Sequence, residues 1–438
     1  MFSAASLRRI LSGTFLAGFV AGALCAQDIA GDWQGTLKAG TQQLRIILQI
    51  GKDAHGSWDA KMYSIDQGPE AIPVNSVQLD AANLKFTVDA VGGKYEGKVS
   101  PDGQSIAGTW TQGQPLRLEF RRTTKATAWE HDASPHHAQF VTVDGNVKLE
   151  VLDWGGTGRP VVLLAGLGNT AHVFDKFAPK LTSTYHVYGI TRRGFGESSA
   201  PAPDGTNYSA DRLGDDVLAV CDSLKLNRPI LVGHSIAGEE LSSIGSRHPE
   251  KVAGLIYLDA GYPYAYYDRA RGDFLIDSAV LEKKLQQMRP GSGPEDQRAL
   301  VKEILQTDLP QLEKDLQERQ KELDAMPAPQ SGKSAGPPMP AVPAAILAGE
   351  EKYTEIRVPI LAIFALPHDT GPDTKNDPKA RAAAEAHDLK FTGAQAQAFE
   401  NGVPSAHVVR LAHANHFVFL SNEADVLREV NAFIRGLH

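Results

Sequence analysis

The chain has 438 residues, 42% of them hydrophobic, and a formal net charge of -8 at pH 7. That length holds two or three domains and a sizeable core. The negative balance, with no long basic run, argues against nucleic acid, an anionic membrane surface or a strongly anionic substrate as partner. The two cysteines are Cys25 and Cys221, and Cys25 falls in a leader, so no intrachain disulfide is expected in the mature chain.

Arg8 and Arg9 precede an apolar stretch from Ile10 to Leu24, which ends in Cys25-Ala26 before Gln27-Asp28. A charged start, a short apolar middle and a small-residue end predict a secretory signal over residues 1–26, hence an exported protein, periplasmic or secreted. Ser12, Gly13, Thr14, Gly18 and Gly22 interrupt the stretch and no positive flank follows, which argues against stable membrane insertion. Cys25 offers a lipid-attachment position, against which the bulk of Leu24 speaks.

Residues 28–124 read as all-β. Apolar and polar residues alternate in Leu44–Ile50, Leu84–Val88 and Leu116–Phe120, between Gly, Asp and Asn turns, predicting a small barrel or sandwich. Trp33 and Trp110, in two similar phrases near its ends, are expected as plugs of that barrel. Residues 125–138 are polar and aperiodic and read as a linker. Its His131, His136 and His137 are expected to be solvated, since Asp132 is the one acidic partner at ligand spacing; no metal site is predicted.

From residue 139 the rhythm changes to an α/β pattern. Phe140–Val143 and Val147–Asp153 predict a hairpin around Asp144-Gly145-Asn146. Strands without alternation follow at Pro160–Leu164, Tyr185–Thr191, Arg228–Gly233, Val252–Leu258, Pro359–Phe364 and Ala406–Leu411. Helices are predicted near Val173–Leu181, Ser209–Leu224, from the elbow to His248, within Asp377–Phe399 and over Ala424–Ile434. Continuous apolar strands separated by amphipathic helices mean a parallel sheet covered on both faces, with ligands at its carboxyl edge. Residues 262–353 break the rhythm and predict a helical cap, with helices at Asp277–Met288 and Pro294–Ala325 and a loosely ordered, Pro-rich tether over Met326–Pro343. Cys221, on the apolar face of a helix, is expected in the core.

Ser235 stands in Gly233-His234-Ser235-Ile236-Ala237-Gly238, between an apolar strand and a helical stretch. A serine hydroxyl is a poor nucleophile at neutral pH and has to be presented bare, beside a base and beside donors for an oxyanion. A sharp strand-to-helix elbow does this, and it needs small residues two before and two after the serine; Gly233 and Ala237 supply them.

Over residues 140–438 the chain resembles the serine α/β-hydrolase family. The resemblance rests on four motifs in order: Leu163–Gly168, Thr191–Ser199 with its Arg-Gly-Phe-Gly-x-Ser turn, the elbow at Ser235, and Ala414–Leu420 before the last helix. The β-domain ahead of it is similar to the lipocalin-like domains found before some exported hydrolases. The resemblance implies an α/β-hydrolase fold with a helical cap, Ser235 as nucleophile and His416 as base, with His413 as competitor. It implies Asp369 as the orienting acid, with Asp259, Asp373 and Asp388 as alternatives, since Asp369 and His416 lie far apart in the chain. The backbone N-H groups of Ile236 and Leu167 form the implied oxyanion hole, and Ala165 stands where the family often has a histidine. His234 is expected to point away from the nucleophile.

The expected activity is cleavage of a small-molecule carboxylic ester through an acyl-enzyme, with no cofactor. Amide, peptide or carbon-carbon bond cleavage on the same triad, or a binding protein without turnover, are the alternatives. A serine at the elbow argues against dehalogenase and epoxide hydrolase chemistry, for which the resembling families use aspartate. Tyr262, Tyr264, Tyr266 and Tyr267, at the entrance of the cap, are expected either to line the substrate pocket or to pack the cap.

Overall fold

A computed structural model describes residues 28–437, apart from 40–41, 54, 66–70, 130–133, 205, 289–293, 326–338 and 372–376. The predicted signal sequence with Cys25, together with His131, Asp373 and most of the Pro-rich tether, therefore lies outside the described residues. Among the described residues no helix is long and apolar enough to cross a membrane.

The N-terminal region is one curled antiparallel sheet. Its strands are β1 (Gly31–Ala39), β2 (Gln42–Lys52), β3 (Trp58–Ser64), β4 (Ile72–Pro73), β5 (Ser76–Asp80), β6 (Asn83–Val88), β7 (Gly93–Val99), β8 (Ser105–Gln112) and β9 (Gln114–Arg122). They lie in the order β4-β3-β2-β1-β9-β8-β7-β6-β5. Period-two alternation puts one face inside: in β6, Leu84, Phe86 and Val88 are buried while Asn83 and Lys85 are exposed. Trp33 and Trp110 belong to that interior. The indole of Trp33 donates to the carbonyl of Ile29 at 3.0 Å, and the Arg122 guanidinium lies over its ring.

The second sheet is built from β10 (His137–Asp144), β11 (Val147–Gly155), β12 (Pro160–Leu164), β13 (His186–Ile190), β14 (Ile230–His234), β15 (Gly254–Leu258), β16 (Ile360–Ala365) and β17 (Ala406–Leu411). The spatial order is β10-β11-β13-β12-β14-β15-β16-β17. β10 and β11 pair antiparallel, as does β11 with β13, and every pairing from β13 to β17 is parallel. In β14, β15 and β16 every residue is buried, because helices cover both faces. Burial of each large aliphatic side chain contributes about 1.5–3 kcal/mol.

One face carries α1 (Ala210–Ser223), α2 (Ala237–Arg247) and, beyond the cap, α7 (Pro378–Gly402), whose Val217, Leu241 and Phe399 join one apolar cluster. The other face carries α9 (Glu423–Gly436), whose Val426, Val430 and Ile434 join a second cluster with Phe174 and Phe177. Ser209 caps α1 by accepting from the Arg212 N-H. Cys221 is buried on α1, and burial pushes its thiol up to about 12. The helix predicted over Val173–Leu181 is two short 3-10 turns, Ala171–Phe174 and Ala178–Lys180; Pro179 has no N-H with which to continue a helix.

Between β15 and β16 the cap contributes α3 (Phe274–Gln287), α4 (Pro294–Glu303), α5 (Leu309–Ala325) and α6 (Ala341–Ala348). A π-helical turn over Ile304–Asp308 joins α4 to α5 where one continuous helix is predicted. Helix α6 begins inside the stretch predicted as tether; its Pro343 sits in the first turn, where a missing N-H costs no helical hydrogen bond. The last short helix is α8 (Val418–Ser421).

Candidate active site

The carboxyl edge of the parallel sheet gathers four loops. Ser235 follows β14, with φ of 54°, a left-handed conformation that an L-residue adopts only when its surroundings hold it there. Its N-H donates to the Leu258 carbonyl of the neighbouring strand at 3.3 Å and its carbonyl accepts from Gly238 at 2.9 Å. Small residues make the elbow possible. A Cβ on Gly233 would come within 2.9 Å of Leu241, and one on Gly166, in the loop after β12, within 3.1 Å of the Ser235 Cβ. A Cβ on Gly238 would lie 2.1 Å from the backbone oxygen of Ala260. The strict glycine after the serine is therefore Gly238, and Ala237 fits.

Ile236 is the N-cap residue of α2, and Leu167 lies in the turn after β12. Their side chains share an apolar cluster with Tyr208, Leu213 and Ile346, so α6 of the cap packs over both expected oxyanion donors. Arg192, buried, ties these parts together: it pairs with Glu240 of α2 at 2.5 and 3.1 Å and donates to the carbonyl of Ala165 at 2.9 Å. Beside it Arg193 grips Asp216 of α1 with two bonds of 2.6 Å.

His416, ahead of α8, donates from Nδ1 to Oδ2 of Asp259 at 2.6 Å. Asp259 is the residue directly after β15, with φ of 47° and no exposed surface. Its Oδ1 accepts from the Ala365 N-H at 3.0 Å, and Oδ2 also accepts from Tyr262 at 3.2 Å and from Nε2 of His368 at 2.8 Å. Burial alone raises the pKa of this carboxyl, but the bonds from His368 and His416 outweigh it and hold Asp259 at about 2. Asp369 corrects the sequence expectation: it is exposed, and its carboxylate accepts from the Gly371 N-H at 3.0 Å, in a turn facing solvent. The carboxylate at His416 is Asp259, one of the alternatives. Asp388 bonds instead to His368, through both its N-H and Nδ1, at 2.7 and 3.0 Å. His413, with its side chain 63% exposed, stands away from Asp259 beside Glu385.

His234 lies against His416, with ring centroids 4.7 Å apart, and its Nε2 donates to the His416 carbonyl at 3.1 Å. Burial first, and then the neighbouring His416, lower its pKa to about 3, so it is a neutral packing residue whose bond holds the backbone of His416. The four tyrosines divide. Tyr264 interacts through its side chain with Ser235, and Tyr262 donates to Asp259 at 3.2 Å. Tyr266 packs its ring on Phe399 of α7, and Tyr267 donates to Asp277 of α3, so these two fasten the cap rather than line the site.

His136 is likewise not solvated as expected. It is buried against His172 and Trp154, with Nδ1 3.0 Å from Asp175. Ligand atoms of His136, His172 and Asp175 lie within 4.8 Å of one another, a spacing compatible with a metal ion, although Asp175 already pairs with both imidazoles.

Residues 159–321 match the family described by the alpha/beta hydrolase fold. Among curated relatives, a fluoroacetate dehalogenase of Burkholderia sp is 34% identical over 116 residues, which is 26% of this chain and 38% of that protein. Epoxide hydrolase 4 of Mus musculus is 28% identical over 167 residues, 36% of this chain and 45% of that protein. The chain thus spans less than half the length of these relatives. A thermophilic esterase from Thermogutta terrifontis superposes with a TM-score of 0.42 and 18% identity, covering 69% of this chain and 99% of that one. The matched residues and the order of the eight-stranded sheet together give the region after the curled sheet an alpha/beta hydrolase fold.

Proposed function

We propose that this protein is a serine hydrolase that cleaves a carboxylic ester of a small molecule through an acyl-enzyme. Ser235 is the nucleophile, His416 the base and Asp259 the acid that orients it. The observation that carries this reading is the 2.6 Å bond from His416 Nδ1 to the buried Asp259, on the strand beside the left-handed Ser235 elbow. With Nδ1-H held by Asp259, the free electron pair of His416 is on Nε2. It accepts the Ser235 proton as Oγ attacks the ester carbonyl. The oxyanion takes hydrogen bonds from the N-H groups of Leu167 and Ile236, the second at the positive end of α2. His416 then returns the proton to the departing alcohol, and water attacks the acyl-serine by the reverse sequence.

Relatives named as dehalogenase and epoxide hydrolase share the fold, and fold alone does not choose the reaction. The serine hydroxyl at the elbow supports acyl transfer, since it forms a hydrolysable ester with an acyl group. The test is labelling by a serine-directed phosphonate probe, together with hydrolysis of a short nitrophenyl acyl ester, for the wild type and Ser235→Ala. Labelling and turnover are expected in the wild type and lost in the variant, by about 10^4-fold or more in rate. An inert wild type would leave the binding-protein reading in place.

A further inference from the structure

His368 occupies a position that the ester-cleaving mechanism does not explain. It follows β16, with Nε2 2.8 Å from Oδ2 of Asp259 and Nδ1 3.0 Å from Oδ2 of Asp388 on α7; its own N-H donates to the same Asp388 oxygen at 2.7 Å. Each ring nitrogen faces a carboxylate, and a neutral imidazole has one N-H to give, so the doubly protonated ring is the form that satisfies both. Burial opposes the charge, but the bonds and charges of Asp259 and Asp388 prevail and raise the His368 pKa to about 9. Asp388 is in turn fixed by Thr392, one helical turn on, at 2.6 Å. The titratable groups that face His368 are Asp259, Tyr262 at 3.4 Å, Asp388, and His416 with ring centroids 6.4 Å apart.

We propose that His368, anchored by Asp388, is a positioning residue that shares the catalytic carboxylate with His416 and thereby sets the proton affinity of the base. This rests on the serine-hydrolase reading above. His416 and His368 meet the same oxygen of Asp259. Two imidazoles on one carboxylate divide its charge, so Asp259 stabilises protonated His416 less than an unshared carboxylate would. The second imidazole also locks Oδ2 toward His416 and links Asp388 of α7 to Asp259.

The experiment is the pH profile of kcat/KM on a short nitrophenyl acyl ester, for the full chain as wild type, His368→Gln, Asp388→Asn and Ser235→Ala, with phosphonate labelling and thermal melting in parallel. Glutamine keeps a donor to Asp259 and removes the charge. The acid limb, which reports the base, is expected to move up by about 0.5–1 pH unit in His368→Gln, with kcat down about 3- to 10-fold and KM little changed. The wild type is expected to lose rate as pH rises through about 9, where His368 loses its proton. In Asp388→Asn that alkaline limb moves to lower pH. This variant fills the same space, so it carries the test should His368→Gln fail to melt cooperatively. Profiles in the variants that superimpose on the wild type, with labelling lost only in Ser235→Ala, would overturn this inference alone. Labelling retained in Ser235→Ala would overturn the serine reading and this inference with it.

Discussion

At the end of β15 the chain turns through Asp259, fully buried, with its carboxylate taking bonds from His416, His368, Tyr262 and the Ala365 N-H. At the end of the next strand, β16, the chain runs out through Asp369, exposed and turned back on its own loop at Gly371. The two aspartates sit at equivalent edges of one parallel sheet, and their surroundings make them chemically different. A carboxylate buried among converging donors is a fixed anion, and a histidine bonded to it is held in one tautomer and one orientation. A carboxylate in water exerts little pull on anything a few ångströms away.

The sharpest way to break this comparison is to neutralise each side in turn. Asp259→Asn should lower kcat on a short acyl ester by about 10^3- to 10^4-fold, because the amide presents the wrong tautomer to His416. Asp369→Asn, and with it His413→Ala, should stay within about twofold of the wild type. A large loss in Asp369→Asn with activity retained in Asp259→Asn would reverse the assignment. The same contrast shows in stability. Asp259 is held at about 2 against an ordinary value of 3.8, so its contribution is fully present above pH 4 and is lost as pH falls through about 2. At about 1.4 kcal/mol per pH unit this is on the order of 2 kcal/mol. Acid titration followed by circular dichroism should show that component in the wild type and in Asp369→Asn, and not in Asp259→Asn.

A smaller effect separates the tyrosine that interacts with Ser235 from one that fastens the cap. Tyr264→Phe removes the hydroxyl beside Ser235 and should change kcat by about 3- to 10-fold with little loss of melting temperature. Tyr267→Phe removes a bond to the buried Asp277, which also pairs with Lys352, and should cost about 1–3 kcal/mol of stability while leaving the rate unchanged. Steady-state kinetics and thermal melting on the two variants check the pair.

Much of the architecture was legible because parallel strands buried on both faces leave continuous apolar runs, and Val161–Leu164, Ile230–Val232 and Ile360–Phe364 are such runs. Ser235 was legible for a steric reason, since its elbow tolerates only small neighbours. Asp259 was harder to choose. Which acid meets His416 depends on how the ends of β15, β16 and β17 sit side by side, and separation along the chain does not report this. One signal was available: Asp259 directly ends an all-apolar strand, whereas Asp369 stands four residues beyond β16 in a polar loop. His368 was not legible at all, since its partners Asp259 and Asp388 lie 109 and 20 residues away. Helix α6 was hidden by the prolines around it, which are tolerated because they fall before the helix or in its first turn. The curled sheet of nine strands was legible as a type, although only three of its strands alternate cleanly enough to name.

Gly238 carries a last consequence, for how this site tolerates change. Its α-carbon faces the backbone oxygen of Ala260, next to Asp259, so close that a methyl group would stand 2.1 Å away. That oxygen belongs to the main chain and cannot rotate aside. Any side chain at position 238 must push the start of α2 and the Asp259 corner apart, moving Ser235 and Asp259 in one step, while position 237 already accepts a methyl group. In a library that randomises the elbow, position 238 is therefore closed to every residue but glycine, a tighter limit than the one at position 237.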